Sequence, residues 1–237
     1  MKSNPPVRGV IFDLFHTLTA CESQWSACPA TYDMLGVDRV AWDRVLLESS
    51  RWRLVGEERD PYTIFSRLVA EVDPTIPDAK VRDVLSRRTG RFADCFRNIP
   101  AENVAMLRAL RARGYKVALL SNADAFDIAD YGSSALRGCF DVEIFSCDVG
   151  CVKPEPEIFH KCLDALGLPA SECVFVGDGG SNELAGARAV GLRTVFVSGV
   201  MAEFWPGQIA SRLAAADHHV EWAHEVESLL EGEPAAA

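Results

Sequence analysis

A chain of 237 residues, 49% apolar and 24% charged, has the composition of a globular protein with ample core, which excludes a disordered or fibrous chain. Its formal charge of −10, with no Lys/Arg-rich stretch, argues against nucleic acid and anionic membrane surfaces as partners. No apolar run approaches the roughly 18 residues needed to span a bilayer. Eight scattered cysteines without a Cys-x-x-Cys pair, behind no recognisable secretory signal, read as the reduced thiols of a cytoplasmic protein.

Val7–Asp13 (VRGVIFD) is a β-rich run without helical periodicity, as in a strand buried on both faces, and it ends on an acid. Over 20–96 no strand-like run appears, and Trp, Leu and Val recur at three- and four-residue spacing. The pattern predicts a helical insertion that divides a core made of 1–19 and 97–237. Its clearest helix starts at Asp60-Pro61, an N-cap and N1 pair, with Ile64, Phe65, Leu68, Val69 and Val72 on one side. Glu102–Arg113 groups Met106, Leu107 and Leu110 and stops at Gly114. Strand-like runs follow at Tyr115–Ser121, Val142–Ser146, Cys173–Asp178 and Thr194–Ser198. Between the second and third of these, a helix begins near Pro156, faces the sheet with Ile158, Phe159, Cys162, Leu163 and Leu166, and ends at Gly167. The alternation predicts an α/β, Rossmann-like parallel sheet with helices on both faces, plus the small inserted α-helical domain. The terminal residues Gly232–Ala237, small or polar, are expected to fray.

In an open parallel sheet, ligands bind beyond the carboxyl ends of the strands, where this sequence places Asp13, Ser121 and Asp178. Lys153 follows the strand ending at Ser146 and is held extended by Pro154. Two carboxylates suit a hard cation, while Ser and Lys suit the remaining oxygens of an anion. Cys147 and Cys151 have no histidines at zinc-ligand spacing.

Taken in order, FDLFHTLT (12–19), LLSN (119–122), VKPEPEIF (152–159) and VGDGGSNELAGA (176–187) resemble the four signatures of the haloacid dehalogenase superfamily, over Val7 to at least Val197. The insertion resembles the cap domain of many members. The resemblance implies a hydrolase in which Asp13 is the nucleophile and forms a covalent aspartyl intermediate that water hydrolyses. It implies Mg²⁺ held by Asp13, the backbone carbonyl of Phe15 and Asp178, with Glu183 reaching the metal through water where phosphatase members usually carry Asp. Ser121, Asn122 and Lys153 are expected on the substrate anion, Lys153 also keeping Asp13 ionised. Thr17 is expected beside them, ordering the loop.

The match departs from phosphatase members at Phe15, where they carry a second Asp that acts as general acid and base, a contribution of about 10²- to 10⁴-fold. His16 is the neighbouring substitute; a substrate with a good leaving group, such as an acyl phosphate, is the other way round the loss. The favoured reading is a Mg²⁺-dependent phosphatase of a small phosphorylated metabolite, because Asp178 is retained. Metal-independent 2-haloacid dehalogenases resemble the first signature more closely, with an aromatic residue where Phe15 stands. A Schiff-base mechanism like that of phosphonoacetaldehyde hydrolase would need Lys80, which reads as a solvated lysine, and a binding protein keeping only the fold is the non-enzyme alternative. Within the insertion Arg51, Arg53 and Arg59 are candidates for a distal anion, and Trp42 and Trp52 are equally packing residues. Beyond a small anionic substrate no partner or oligomeric state is indicated.

Overall fold

Val10, Ile11 and Phe12 are all fully buried, which a strand achieves only when both faces of its sheet are covered. The computed structural model describes residues 5–230, so the expected fraying of Gly232–Ala237 lies outside the described residues. Its strands are β1 (Gly9–Phe12), β2 (Lys116–Ser121), β3 (Val142–Phe145), β4 (Cys173–Gly177), β5 (Arg193–Val197) and β6 (His218–Val220). They form one parallel sheet in the order β3-β2-β1-β4-β5-β6.

The alternation of each strand sorts its side chains into two cores. Val10 and Phe12 join Val117, Leu119, Val174 and Val176 on one face, where Val104, Met106, Leu107 and Leu110 of the Ala101–Ala112 helix cover them. Ile11, Ala118, Leu120 and Phe175 point to the other, under Ile158, Phe159 and Cys162 of the Pro156–Leu166 helix and Leu184 and Ala187 of the Glu183–Ala189 helix. Gly167 ends its helix at φ 66°, the left-handed cap expected of it.

Strand β6 is an addition to the sequence reading: His218 and His219 are exposed, and three residues carry too little pattern to announce a strand. The runs read at Tyr115–Ser121, Val142–Ser146, Cys173–Asp178 and Thr194–Ser198 match β2 to β5 to within a residue at each end, and β1 starts two residues after Val7.

Between Glu22 and Arg97 the described residues are helical or looped, with a separate core built on Trp42, Trp52, Ile64, Phe65, Leu68 and Val69. Asp60 caps the Pro61–Val72 helix by accepting from Thr63 N at 2.7 Å. Trp42 and Trp52 are thus packing residues. Lys80 donates to the Leu35 carbonyl at 2.6 Å and closes the end of the Thr31–Leu35 helix.

The three arginines proposed for a distal anion instead tie the insertion to the core. Arg51 pairs with Glu155 at 2.9 Å and Arg59 with Asp148 at 3.1 Å, both on the surface, where such pairs contribute little. Arg53 is different: its side chain is 4% exposed and donates to Asp124 at 2.6 Å and Asp127 at 3.0 Å. Arg88 meets the other oxygen of Asp127 at 2.8 Å. All eight cysteines are free thiols, and among the described residues no helix is long and apolar enough to cross a membrane.

Removing one partner of a buried charge pair strands the other, at a cost of about 3–5 kcal/mol. Arg53→Met is therefore expected to lower the urea-unfolding free energy by about that much, and adding Asp124→Asn to recover part of it. A loss below about 1 kcal/mol would mean that water already reaches the cluster.

Candidate active site

The strand order places the carboxyl ends of β1 and β4 side by side, with the chain running outward in opposite directions from them, and each strand is followed at once by an aspartate. Asp13 is anchored by its own N–H, which donates to Val176 O at 2.9 Å, and its carboxylate is buried. Thr17 donates to Asp13 Oδ2 at 3.0 Å. Lys153 donates to Asp13 Oδ1 and, at 2.6 Å, to Glu183 Oε2.

Glu183 reaches this point because Gly177 has no side chain: a Cβ there would stand 2.1 Å from Glu183 Oε1. That oxygen accepts from Gly179 N at 3.0 Å. Asp178 accepts from Gly180 N at 2.9 Å on one oxygen and from Arg212 at 3.1 Å on the other. Gly179, at φ 82°, lets the Arg212 stem cross it; a Cβ would meet Arg212 Cδ at 2.8 Å.

One oxygen each of Asp13, Asp178 and Glu183 lie within 4.8 Å of one another, and all three residues are buried. Burial raises the Asp13 carboxyl above its ordinary range, with Lys153 opposing and Asp178 adding to the rise. Glu183 is raised further, by burial and then by Asp13 and Asp178, against the pull of Lys153. Burial would lower Lys153, but Asp13 and Glu183 outweigh it and hold the ammonium charged. Three carboxylates against Lys153 and Arg212 leave the cluster one positive charge short, and hard oxygen donors so gathered fit Mg²⁺.

Ser121 ends β2 with its hydroxyl fully buried and without a hydrogen-bond partner, an unusual state that calls for a ligand. Asn122 does not present its amide to the cleft in the same way: Oδ1 accepts from Lys153 N at 2.8 Å and Nδ2 donates to Lys153 O at 2.9 Å. Phe15 turns its ring among Trp25, Phe92 and Phe96, with centroids 6.1, 5.7 and 6.1 Å away.

His16 adopts φ 62°, costly for a residue with a side chain, and lines the same cavity as Asp13. Its Nε2 lies 3.0 Å from Glu22 Oε1, and Arg91 donates to the other Glu22 oxygen at 2.8 Å. Burial lowers the His16 pKa, but the Glu22 hydrogen bond and charge more than reverse this, and it ends above its ordinary value. Burial tends to raise Glu22, while His16 and Arg91 together hold it down to about 2.

Sequence reasoning missed Glu22, Arg91 and Arg212, which carry no motif. It also passed over Asp124, three residues beyond Ser121, whose Oδ1 accepts from Asp127 N at 2.7 Å and shapes the loop.

The sequence model of the haloacid dehalogenase-like hydrolases matches residues 7–191, which include every residue of the carboxylate cluster and Lys153. The chain belongs to this family. The rat bifunctional epoxide hydrolase 2 is 38% identical over 94 residues, which are 38% of this chain and 17% of that protein. The phosphoserine phosphatase of Thermus thermophilus is 35% identical over 101 residues, 40% of this chain and 39% of the other. The chain thus matches well under half the length of either curated relative. The L-2-haloacid dehalogenase from Xanthobacter autotrophicus, solved with chloropropionic acid covalently bound, superposes with a TM-score of 0.66 at 18% identity, covering 95% of this chain and 99% of that one. That likeness shows a shared haloacid dehalogenase-like fold.

Glu22 gives a pH-dependent prediction. With its folded pKa near 2 against 4.5 unfolded, its contribution is fully present above pH 4.5 and is lost as pH falls toward 2. A shift of that size corresponds to about 3 kcal/mol. Urea unfolding of Glu22→Gln and the wild type should differ most at pH 6, with the difference more than halved by pH 3 and vanishing toward pH 2; a constant difference would assign the effect to packing.

Proposed function

We propose that the protein is a magnesium-dependent phosphatase that acts on a small phosphorylated metabolite through an aspartyl-phosphate on Asp13. The observation that carries this reading is the buried carboxylate cluster, with oxygens within 4.8 Å of one another, together with the unpartnered Ser121 hydroxyl at the end of the strand that pairs with β1. Hard oxygen donors so placed serve phosphoryl chemistry, whereas expelling a halide requires neither a cation nor a proton. The free thiols are in keeping with a reducing cytoplasm.

Magnesium, held by Asp13, Asp178 and the Phe15 carbonyl, with Glu183 reaching it through water, would neutralise the phosphoryl oxygens and lower the repulsion an anionic nucleophile meets. Thr17, bonded to Asp13 Oδ2, fixes the rotation of the carboxylate. Lys153 keeps Asp13 ionised and, with Ser121, binds the phosphoryl oxygens. Asn122 acts through Lys153 by holding its main chain at both ends. Asp13 attacks phosphorus and the leaving group departs with its electron pair; water then attacks the same phosphorus, releasing phosphate and restoring the carboxylate. With its Nε2 engaged by Glu22, His16 is poorly placed to protonate the leaving group, so substrates whose leaving group needs little protonation, acyl phosphates among them, should react best.

A second reading, metal-independent carbon–halogen hydrolysis on Asp13, is favoured by one observation: Arg212 already supplies a cation to Asp178.

The test is hydrolysis of p-nitrophenyl phosphate, acetyl phosphate and L-2-chloropropionate, each with Mg²⁺ and with EDTA. Phosphate release that requires Mg²⁺, is highest for acetyl phosphate and falls at least about 10³-fold in Asp13→Asn is the expected result. Chloride release that survives EDTA would replace it with the second reading. No turnover of any of the three, and none affected by Asp13→Asn, would leave a protein that keeps only the fold.

A further inference from the structure

The cavity that opens on Asp13 has a volume of about 450 Å³, and aromatic side chains form part of its lining. Trp25 is fixed by donating to Ala20 O at 2.8 Å, and His16 lies nearly parallel to it, 6.1 Å between centroids. Trp205 sets its ring edge-on to His16 at 5.3 Å. Arg39 lies within 5.9 Å of the ring centres of Tyr32, Phe204 and Trp205 and presents its guanidinium among them. Phe204 and Trp205 lie beyond residue 191, where the family match ends, whereas His16, Trp25, Tyr32 and Arg39 lie within it.

Two features converge here: aromatic rings in the lining of the cavity, and Phe15 where phosphatase members carry an acid. An aromatic leaving group satisfies both. Its ring stacks on aromatic faces and on a guanidinium. Phenols ionise near pH ~10, as tyrosine does, whereas water, the nearest reference for a simple alcohol, does so near ~16. An aryloxide therefore leaves without a proton donor that an alkoxide would require.

We propose that the cavity is a leaving-group subsite for an aryl phosphate, the phosphoryl group lying on Asp13, Ser121 and Lys153 and the ring against Trp205, Tyr32 and Arg39. This rests on the phosphatase reading above. An Asp13 oxygen forms the new bond to phosphorus as the phosphorus–aryloxide bond breaks, and the aryloxide keeps the electron pair. Water then cleaves the aspartyl-phosphate, and its proton passes through solvent to the aryloxide. Since a cavity of ~150 Å³ holds benzene, this one accommodates the phosphoryl group with one or two fused rings.

Calorimetric titration with phenylphosphonate and methylphosphonate, which cannot be hydrolysed, reads the subsite independently of turnover; phenylphosphonate should bind at least tenfold tighter. In turnover, the ratio of kcat/KM for 1-naphthyl phosphate over acetyl phosphate, which has a good leaving group but no ring, should fall at least tenfold in Trp205→Leu and in Tyr32→Leu and be retained in Trp205→Phe. Equal binding of the two phosphonates, or a ratio unmoved by both leucine variants, overturns the subsite while acetyl phosphate turnover still upholds the phosphatase. Selective binding of phenylphosphonate with no phosphate released from any substrate does the reverse.

Discussion

Everything at the head of the sheet depends on Lys153. One buried ammonium serves Asp13 and Glu183 at once, while the third carboxylate, Asp178, is paired with Arg212 at 3.1 Å. Taking such groups out of water costs several kcal/mol each, and the arrangement persists only if the partners are held at bonding distance by something stiffer than themselves. The stiffness comes from the sheet. Asp13 continues β1, Asp178 continues β4 beside it, and Lys153 comes from the loop after β3, whose main chain Asn122 at the end of β2 grips with both ends of its amide. Change the strand order and the four groups no longer meet.

The insertion is fastened to this frame unevenly, and exposure decides which fastenings matter. Arg51–Glu155 and Arg59–Asp148 are half-exposed and screened by solvent. Arg53 and Arg88 close on Asp124 and Asp127 with all four side chains buried, and Arg91 closes on Glu22. The buried contacts lie around the cavity itself, since Arg53, Arg88, Arg91 and Asp127 all line it. The same charges thus hold the helical layer down and keep the walls of the cavity in place.

How much of this was legible follows from the range of each interaction. Strands β1 to β5 announce themselves by local apolar runs, Asp13, Ser121 and Asp178 by their place at the ends of those runs and Lys153 by the loop after one of them, whereas Glu183 was legible only through the family resemblance. β6 was not legible because two of its three residues are exposed histidines. The Arg53–Asp124 and Arg53–Asp127 pairs, 71 and 74 residues apart, leave no trace in any local window, so Arg53 could be named only as one of three candidates for a distal anion. Arg212 and the Phe204–Trp205 wall lie in a stretch of short helices with little periodicity, where the route of the chain, not its pattern, carries them to the site.

Phe15 shows why the departure from phosphatase members cannot be read as simple loss of an acid. Its ring contacts Trp25 and Phe92 from the insertion and Phe96 at the point where the insertion returns to the core, bridging two apolar clusters. A carboxylate with that orientation would sit among rings without a partner, and burial would favour its neutral form. The position has therefore exchanged proton transfer for anchoring. The exchange constrains the neighbouring chemistry: His16, forced into a left-handed turn, stacks on Trp25 and bonds Glu22, and the rings of Tyr32, Phe204 and Trp205 share the cavity lining with it. On the phosphatase reading proposed above, such a site would stabilise an anionic phosphoryl group firmly and a leaving-group oxygen weakly, which puts the burden of departure on the acidity of the substrate itself.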